Sequence, residues 1–126
     1  MIQDKTLVTI ADNTGAKIGR VFKVLGSSKK FIAQLGDVVV LSIQKAEPRK
    51  SVKKKDVVYG VVVRTTKQVR RKDGSYICFD DNAVVIVDKE KKEPKAGRVF
   101  GPCPRELSET GIDGYKKIAS LAPEII

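Results

Sequence analysis

Short runs of β-branched and alternating apolar residues recur along the first 88 residues of the chain and predict strands. Turn-forming residues separate the runs, and Asp-Gly at 73–74 is a strong hairpin signal. The predicted strands are TLVTI at 6–10, KIGRVFKVLG at 17–26, GDVVVLSI at 36–43, DVVYGVVVRT at 56–65 and NAVVIVD at 82–88. A further segment, KQVRRKDGSYICF at 67–79, is predicted to form a hairpin.

In two of these strands the alternation predicts which residues share a face. They are Ile18, Phe22 and Val24 in one strand, and Val39, Leu41 and Ile43 in another. The strand at 56–65 is apolar on both faces for most of its length, as a strand buried on both sides would be. Gly60 in its middle indicates either a β-bulge or a close approach of another chain segment.

The last third of the chain has a different character. KEKKEPKAG at 89–97 is polar and rich in helix breakers, which predicts a loop, and the prolines of FGPCP at 100–104 break any helix there. RELSET at 105–110 and GYKKIASL at 114–121 could each form a short helix. GIDG at 111–114 is then the loop between the two helices.

The length and composition are those of one globular domain covering residues 1–126. With 41% hydrophobic and 32% charged residues, a chain of 126 residues can bury an ordinary core. We expect an all-β barrel over about 1–88, because closing a small sheet into a barrel removes its exposed edges. A C-terminal region of loop and short helices follows over about 89–126.

Residues that could support catalysis or hold a metal are scarce. The chain has no His, which excludes Ser-His and Cys-His catalysis and His-ligated metals. Cys78 and Cys103 form no metal-ligand pair, and DNTG at 12–15 is interpreted as a turn between strands. No apolar run approaches the roughly 20 residues that span a bilayer. The sequence therefore predicts no enzyme activity, no cofactor, no metal site and no membrane span.

Positive charge is concentrated in one segment. Residues 45–72 hold 11 of the 25 Lys and Arg residues but only two of the 15 acidic residues, Glu47 and Asp56. The segment thus carries +9 of the formal net charge of +10. A solvated charged surface usually mixes both signs, so a segment of one sign favours a polyanionic partner.

Nucleic acid is the polyanion that the sequence favours. The basic segment has no apolar helical stripe with which to bind a membrane surface. Aromatic residues make up only 6% of the chain, so the sequence does not predict an aromatic surface on which unpaired bases could stack. The remaining prediction is a folded RNA bound through its phosphates and 2′-hydroxyls.

The residues from 60 to 86, GVVVRTTKQVRRKDGSYICFDDNAVVI, resemble the signature of the fourteenth universal protein of the large ribosomal subunit. The shared features are Gly60 followed by three aliphatic residues, then Asp-Gly after nine more residues, then Phe, Asn and paired valines. The similarity extends in order over the rest of the chain, through MIQDKT, ADNTGA, KVLG, GDVV, VFGPCPREL and KIASLAPE.

This resemblance implies a fold and a set of partners. The fold would be a five-stranded β-barrel with a projecting β-ribbon and a C-terminal region with two short helices. The protein would be a structural constituent of the large ribosomal subunit that binds large-subunit rRNA. It would contact small-subunit rRNA in an intersubunit bridge, lie beside other large-subunit proteins and, in bacterial relatives, present its C-terminal region to a ribosome-silencing factor. The expected location is the ribosome, in the cytoplasm or in an organelle.

Three positions depart from the family pattern. Cys78 stands where relatives commonly have Arg, so one outward cation of the hairpin is missing. Gly97 replaces a usual Thr beside Arg98. SETGIDGYKK at 108–117 is about three residues longer than the bacterial pattern. The last two departures bear on the surface that a silencing factor would contact.

The candidate contacts divide into two groups. The predicted rRNA contacts are Arg49, Lys50, Lys53, Lys54, Lys55, Arg64, Lys67, Arg70, Arg71 and Lys72. Arg98 and Arg105 are candidates for the subunit interface or a silencing factor. An RNA-binding barrel that acts outside the ribosome, as a chaperone or regulator, is the alternative, and it predicts more exposed aromatic residues than the composition suggests.

Overall fold

A computed structural model describes residues 2–25, 32–48, 52–90, 92–109 and 113–126. The strands are β1 Ile2–Gln3, β2 Leu7–Ile10, β3 Ala16–Val24, β4 Ile32–Ala33, β5 Val38–Ala46, β6 Val57–Arg64, β7 Val69–Arg70, β8 Tyr76–Ile77 and β9 Ala83–Val87. The helices are α1 Glu106–Glu109 and α2 Asp113–Leu121.

Five strands close into a barrel in the order β2-β3-β5-β6-β9. The barrel closes through a parallel pairing of β2 with β9, while its other neighbours are antiparallel. Two further pairs, β1 with β4 and β7 with β8, form separate two-stranded sheets. The five predicted strands are the five barrel strands and the predicted hairpin is the β7–β8 ribbon, so the predicted barrel and ribbon are confirmed.

The Leu41 side chain inside the barrel leaves little room for a side chain at two positions, which explains why glycine occupies both. As predicted, Val39, Leu41 and Ile43 of β5 point inward and are fully buried. A Cβ at Gly60 would stand 3.1 Å from Leu41 Cδ2, and a Cβ at Gly19 would collide with Leu41 Cδ1. Gly60 is therefore a site of close approach, and the register shift in β6 lies after it, between Val62 and Arg64.

The predicted face of β3 is wrong for Phe22. Register shifts between Ile18 and Gly19 and between Val21 and Lys23 interrupt the pairing of β3 with β5. An extra residue in one strand exchanges the faces of all that follow it. Val21 is consequently fully buried, whereas the Phe22 side chain is 47% exposed.

A second apolar core covers the outside of β6 and β9. The outward residues Val61 and Val63 of β6, and Val85 and Val87 of β9, are buried against the C-terminal region. That region contributes Val99, Cys103, Leu107, Tyr115 and Ile118. Because the barrel interior covers the other face, β6 is buried on both sides over most of its length, as the apolar run at 56–65 predicted.

Both predicted C-terminal helices are present. Helix α1 begins two residues after Pro104, and α2 buries Tyr115, Ile118 and Ala119 at helical spacing. The Tyr115 hydroxyl donates a hydrogen bond of 2.7 Å to the Gly36 carbonyl oxygen, and burial raises its pKa. Neither helix is long and apolar enough to cross a membrane.

The predicted loop at 111–114 is wrong in its second half, because α2 begins at Asp113 and includes Gly114. Tyr115 and Ile118 pack into the second apolar core and stabilise the helix, and one glycine near its start costs only about 1 kcal/mol. Residues 111–112 lie outside the described residues.

The turn at 12–15 contains a buried carboxylate that ties two strands together. Asp12 accepts hydrogen bonds from the Thr14 hydroxyl at 2.7 Å, the Thr14 amide at 3.2 Å and the Ile86 amide at 2.9 Å. Burial raises the pKa of Asp12, and these hydrogen bonds oppose that rise. DNTG is thus a structural turn between β2 and β3, as predicted, and Asp12 also fixes it to β9.

Candidate nucleic-acid interface

The lysines at 53–55 lie on a tight turn between β5 and β6. The Asp56 carboxylate accepts a 3.0 Å hydrogen bond from the Lys53 amide, and the Asp56 amide donates back to the Lys53 carbonyl at 3.2 Å. Lys55 has a positive φ of 73° and its amide donates to the Ile43 carbonyl at 2.8 Å. Val52 is buried in the barrel core and anchors the start of the turn. The three side chains, which we call the turn lysines, are all exposed.

The ribbon turn is equally well fixed. Asp73 Oδ1 accepts hydrogen bonds from the Ser75 hydroxyl at 2.6 Å and the Ser75 amide at 2.9 Å, and these bonds lower the pKa of Asp73. Gly74 adopts a φ of 91°, which glycine allows without steric cost. The Arg71 amide closes the turn onto the Ser75 carbonyl at 2.8 Å. The Asp-Gly turn predicted from the sequence is therefore confirmed.

Three cations project from the ribbon and the loop that leads into it. Lys67, Arg70 and Lys72 are exposed and are called the ribbon cations below. Neither they nor the turn lysines form an ion pair with another described residue. Arg49 and Lys50, the other two cations predicted before β6, lie outside the described residues.

Arg64, a predicted rRNA contact, is directed into the protein. Its side chain is only 9% exposed, and its Nε lies 3.1 Å from Asp81 Oδ1. Its Nη1 donates a 2.9 Å hydrogen bond to the Phe100 carbonyl oxygen. Gly101 has a φ of 80° and packs so closely on the guanidinium that a Cβ there would collide with Nη1. Arg64 thus ties β6 to the segment that leads into the C-terminal region.

Arg71 is also held internally. Its side chain is 12% exposed, and its Nε lies 2.6 Å from Glu106 Oε1 on α1. Its Nη2 donates to Glu106 Oε2 at 3.2 Å and to the Ile126 backbone oxygen at 2.6 Å. Nearby, Arg105 Nη2 lies 3.5 Å from Asp73 Oδ2. The end of the ribbon is therefore fixed to the C-terminal region by two ion pairs.

The candidates for the subunit interface lie on that C-terminal region. Arg98 is exposed, and its amide donates to Asn13 Oδ1 at 3.3 Å. Arg105 is half-exposed in its pair with Asp73. Gly97 is exposed, and a Cβ added there would meet no atom within 4 Å, so a side chain could be added at this position without a collision at Cβ.

The two cysteines have opposite environments. Cys78 at the end of the ribbon is exposed. Cys103 is fully buried, and burial raises the pKa of its thiol to about 11 although the nearby Arg64 charge opposes the rise. Within the described part of the chain, no three His, Cys, Asp or Glu side chains come together as metal ligands.

Exposed aromatic residues are the feature that sequence reasoning missed. Phe22, Tyr76 and Phe100 are each about half exposed, so the low aromatic content does not mean a surface without aromatic side chains. On the barrel wall, Lys89 Nζ lies 5.7 Å from the centre of the half-buried Tyr59 ring, within cation–π range. The signal for Phe22 was hidden because the register shifts in β3 could not be read from the alternation.

The chain was compared with models of known protein families. The family model described as Ribosomal protein L14p/L23e matches residues 1–126, which is the whole chain. The resemblance identified from the motifs is therefore confirmed.

Proposed function

The chain belongs to the ribosomal protein L14p/L23e family of the large ribosomal subunit, and from this premise we propose that its basic segment binds large-subunit rRNA. The observation that carries the proposal is the exposure of the six turn lysines and ribbon cations, none of which forms an ion pair within the described part of the chain. Because the backbone of both turns is already fixed, only the side chains have to be ordered when they contact phosphates, and each phosphate contact releases counterions. The family is generally structural, which supports a non-enzymatic role.

The two internal arginines have a different role in this proposal. Arg64 and Arg71 already have carboxylate and carbonyl partners, so a phosphate would have to displace those partners. We assign them to positioning: Arg71 fixes the ribbon turn that carries Lys72, and Arg64 fixes the strand from which the ribbon departs. Arg49 and Lys50 remain proposed rRNA contacts on the strength of the sequence alone.

An RNA-binding barrel outside the ribosome is the second candidate, because Phe22, Tyr76 and Phe100 are exposed and could stack on unpaired bases. Sedimentation of a tagged chain through a sucrose gradient separates the two functions. We expect the protein to travel with the large subunit and to stay there after a wash in moderate salt. Recovery mainly in the slow fractions, with free RNA, would support the second candidate instead.

We also propose that Arg98 and Arg105 face small-subunit rRNA in an intersubunit bridge and border the surface that a silencing factor contacts. Both lie on the C-terminal region, Arg105 next to the ribbon turn and Arg98 next to the turn at 12–15, and this position supports the proposal. Large subunits that carry Arg98→Ala should join small subunits less completely in a gradient than wild-type subunits do. Gly97→Thr should let a bacterial silencing factor prevent joining at a lower concentration. Identical joining curves for wild type and both variants would remove Arg98 and Gly97 from the interface.

A further inference from the structure

A cavity of about 260 Å³ opens between β4 and the loop that leads into the ribbon. Ile32 and Ala33 of β4 and Val69 of β7 give it an apolar wall. Two hydrogen bonds fix the loop at the base of the cavity. The Phe79 amide donates to the Thr65 carbonyl at 2.9 Å, and the Thr66 amide donates to Asn82 Oδ1 at 2.9 Å.

Three uncharged polar residues line the same cavity. Thr65 is buried, and its hydroxyl donates to the Lys67 carbonyl at 3.1 Å, which leaves the hydroxyl oxygen able to accept a hydrogen bond. Gln34 and Gln68 are exposed, and neither side-chain amide is hydrogen-bonded to another described residue. An amide both donates and accepts, which is what the edge of a nucleobase requires.

The charges at this cavity have a single sign. Lys67 and Arg70, two of the ribbon cations, line it, and no described carboxylate does. The volume is below the range of about 300–1,000 Å³ that drug-sized ligands occupy, so it suits a group about as large as one nucleobase. An RNA duplex cannot enter such a cavity, but an unpaired nucleotide turned out of a loop or bulge can.

We propose that the cavity receives one unpaired nucleotide of the rRNA. Its base lies against Ile32 and Val69, the edge of the base bonds the amides of Gln34 and Gln68, and the flanking phosphates face the two cations. This inference rests on the proposed function, because it assigns a specific site to the basic surface proposed to bind rRNA. The contacts between cations and phosphates do not distinguish one RNA sequence from another. The proposed site would add recognition of an unpaired nucleotide to those contacts.

The test compares five short RNA hairpins in a fluorescence anisotropy titration at a fixed salt concentration. One hairpin is fully paired, and the other four each carry a single bulged A, C, G or U. Pairing of side-chain amides with one base edge is worth about 1–3 kcal/mol, so we expect the preferred bulged hairpin to bind about 5-fold to 150-fold more tightly than the paired one. Gln34→Ala combined with Gln68→Ala should remove most of that preference and leave the affinity for the paired hairpin unchanged.

Gln44→Ala is the matched control, since it removes a glutamine amide from β5, outside the cavity, and should leave the preference intact. Equal affinity for all five hairpins, with a normal salt dependence, would overturn the nucleotide site and leave rRNA binding in place. Failure to bind any hairpin at low salt would overturn the proposed function itself. A preference that survives the double glutamine variant would show that the bulged base binds elsewhere.

Discussion

Replacing the turn lysines and the ribbon cations with Gln should lower the affinity for large-subunit rRNA by about four orders of magnitude at 0.1 M salt. Each phosphate contact contributes about 0.7–0.9 to the slope of log affinity against log salt. At 0.1 M salt, one log unit below 1 M, the same contact therefore raises the affinity by about 0.7–0.9 orders of magnitude. The six substitutions should flatten the slope by about 4–5 units. The measurement is a series of rRNA titrations over a range of salt concentrations.

The fold should survive these substitutions, because none of the six side chains takes part in a hydrogen bond or an ion pair with another described residue. Surface substitutions of this kind usually change stability by less than about 0.5 kcal/mol each. Urea unfolding of the variant therefore separates lost binding from lost structure.

Two variants make the comparison sharper. A triple control, with Lys5, Lys95 and Lys116 changed to Gln, removes exposed charge outside the basic segment and should alter the slope by less than one unit. In the opposite direction, Cys78→Arg adds an exposed cation at the end of the ribbon and should steepen the slope by about 0.7–0.9. If the control flattened the slope as much per charge as the basic segment does, net charge alone would explain binding.

The barrel was predictable because its strands have strong local signals. Runs of Val and Ile bounded by turn residues identify β5, β6 and β9, and Asp-Gly identifies the ribbon turn. Burial of β6 on both faces was also predictable from the sequence, because apolar and polar residues do not alternate in its apolar run. The face of Phe22 was not readable, because the register shifts in β3 arise from pairing with β5 and leave no local signature.

The roles of the basic residues were only partly predictable, for a related reason. A count of charges does not distinguish a cation that projects into solvent from one that pairs internally. The partners of Arg64 and Arg71 include Phe100, Glu106 and Ile126, which lie 36, 35 and 55 residues away along the chain. Only the folded chain brings these groups together.

The same substitution at the neighbours Arg70 and Arg71 should therefore affect different properties: Arg71→Ala should lower stability, and Arg70→Ala should weaken rRNA binding. Arg71→Ala should lower the free energy of unfolding by about 1–3 kcal/mol, because it leaves Glu106 without its partner and removes a charged hydrogen bond to Ile126. The loss should fall short of the 3–5 kcal/mol typical of fully buried pairs, since Glu106 is 34% exposed. Urea unfolding measures this difference.

Arg70→Ala is the matched control, one residue away on the same ribbon. It should change the free energy of unfolding by less than about 0.5 kcal/mol and flatten the salt slope of rRNA binding by about 0.7–0.9. Arg71→Ala should leave that slope nearly unchanged once binding is measured where the variant is folded. A double-mutant cycle with Glu106→Ala isolates the ion pair and should return a coupling energy of at least about 0.5 kcal/mol. If Arg71→Ala instead preserved stability and flattened the slope as Arg70→Ala does, Arg71 would be a phosphate contact and its pairing with Glu106 would give way to RNA.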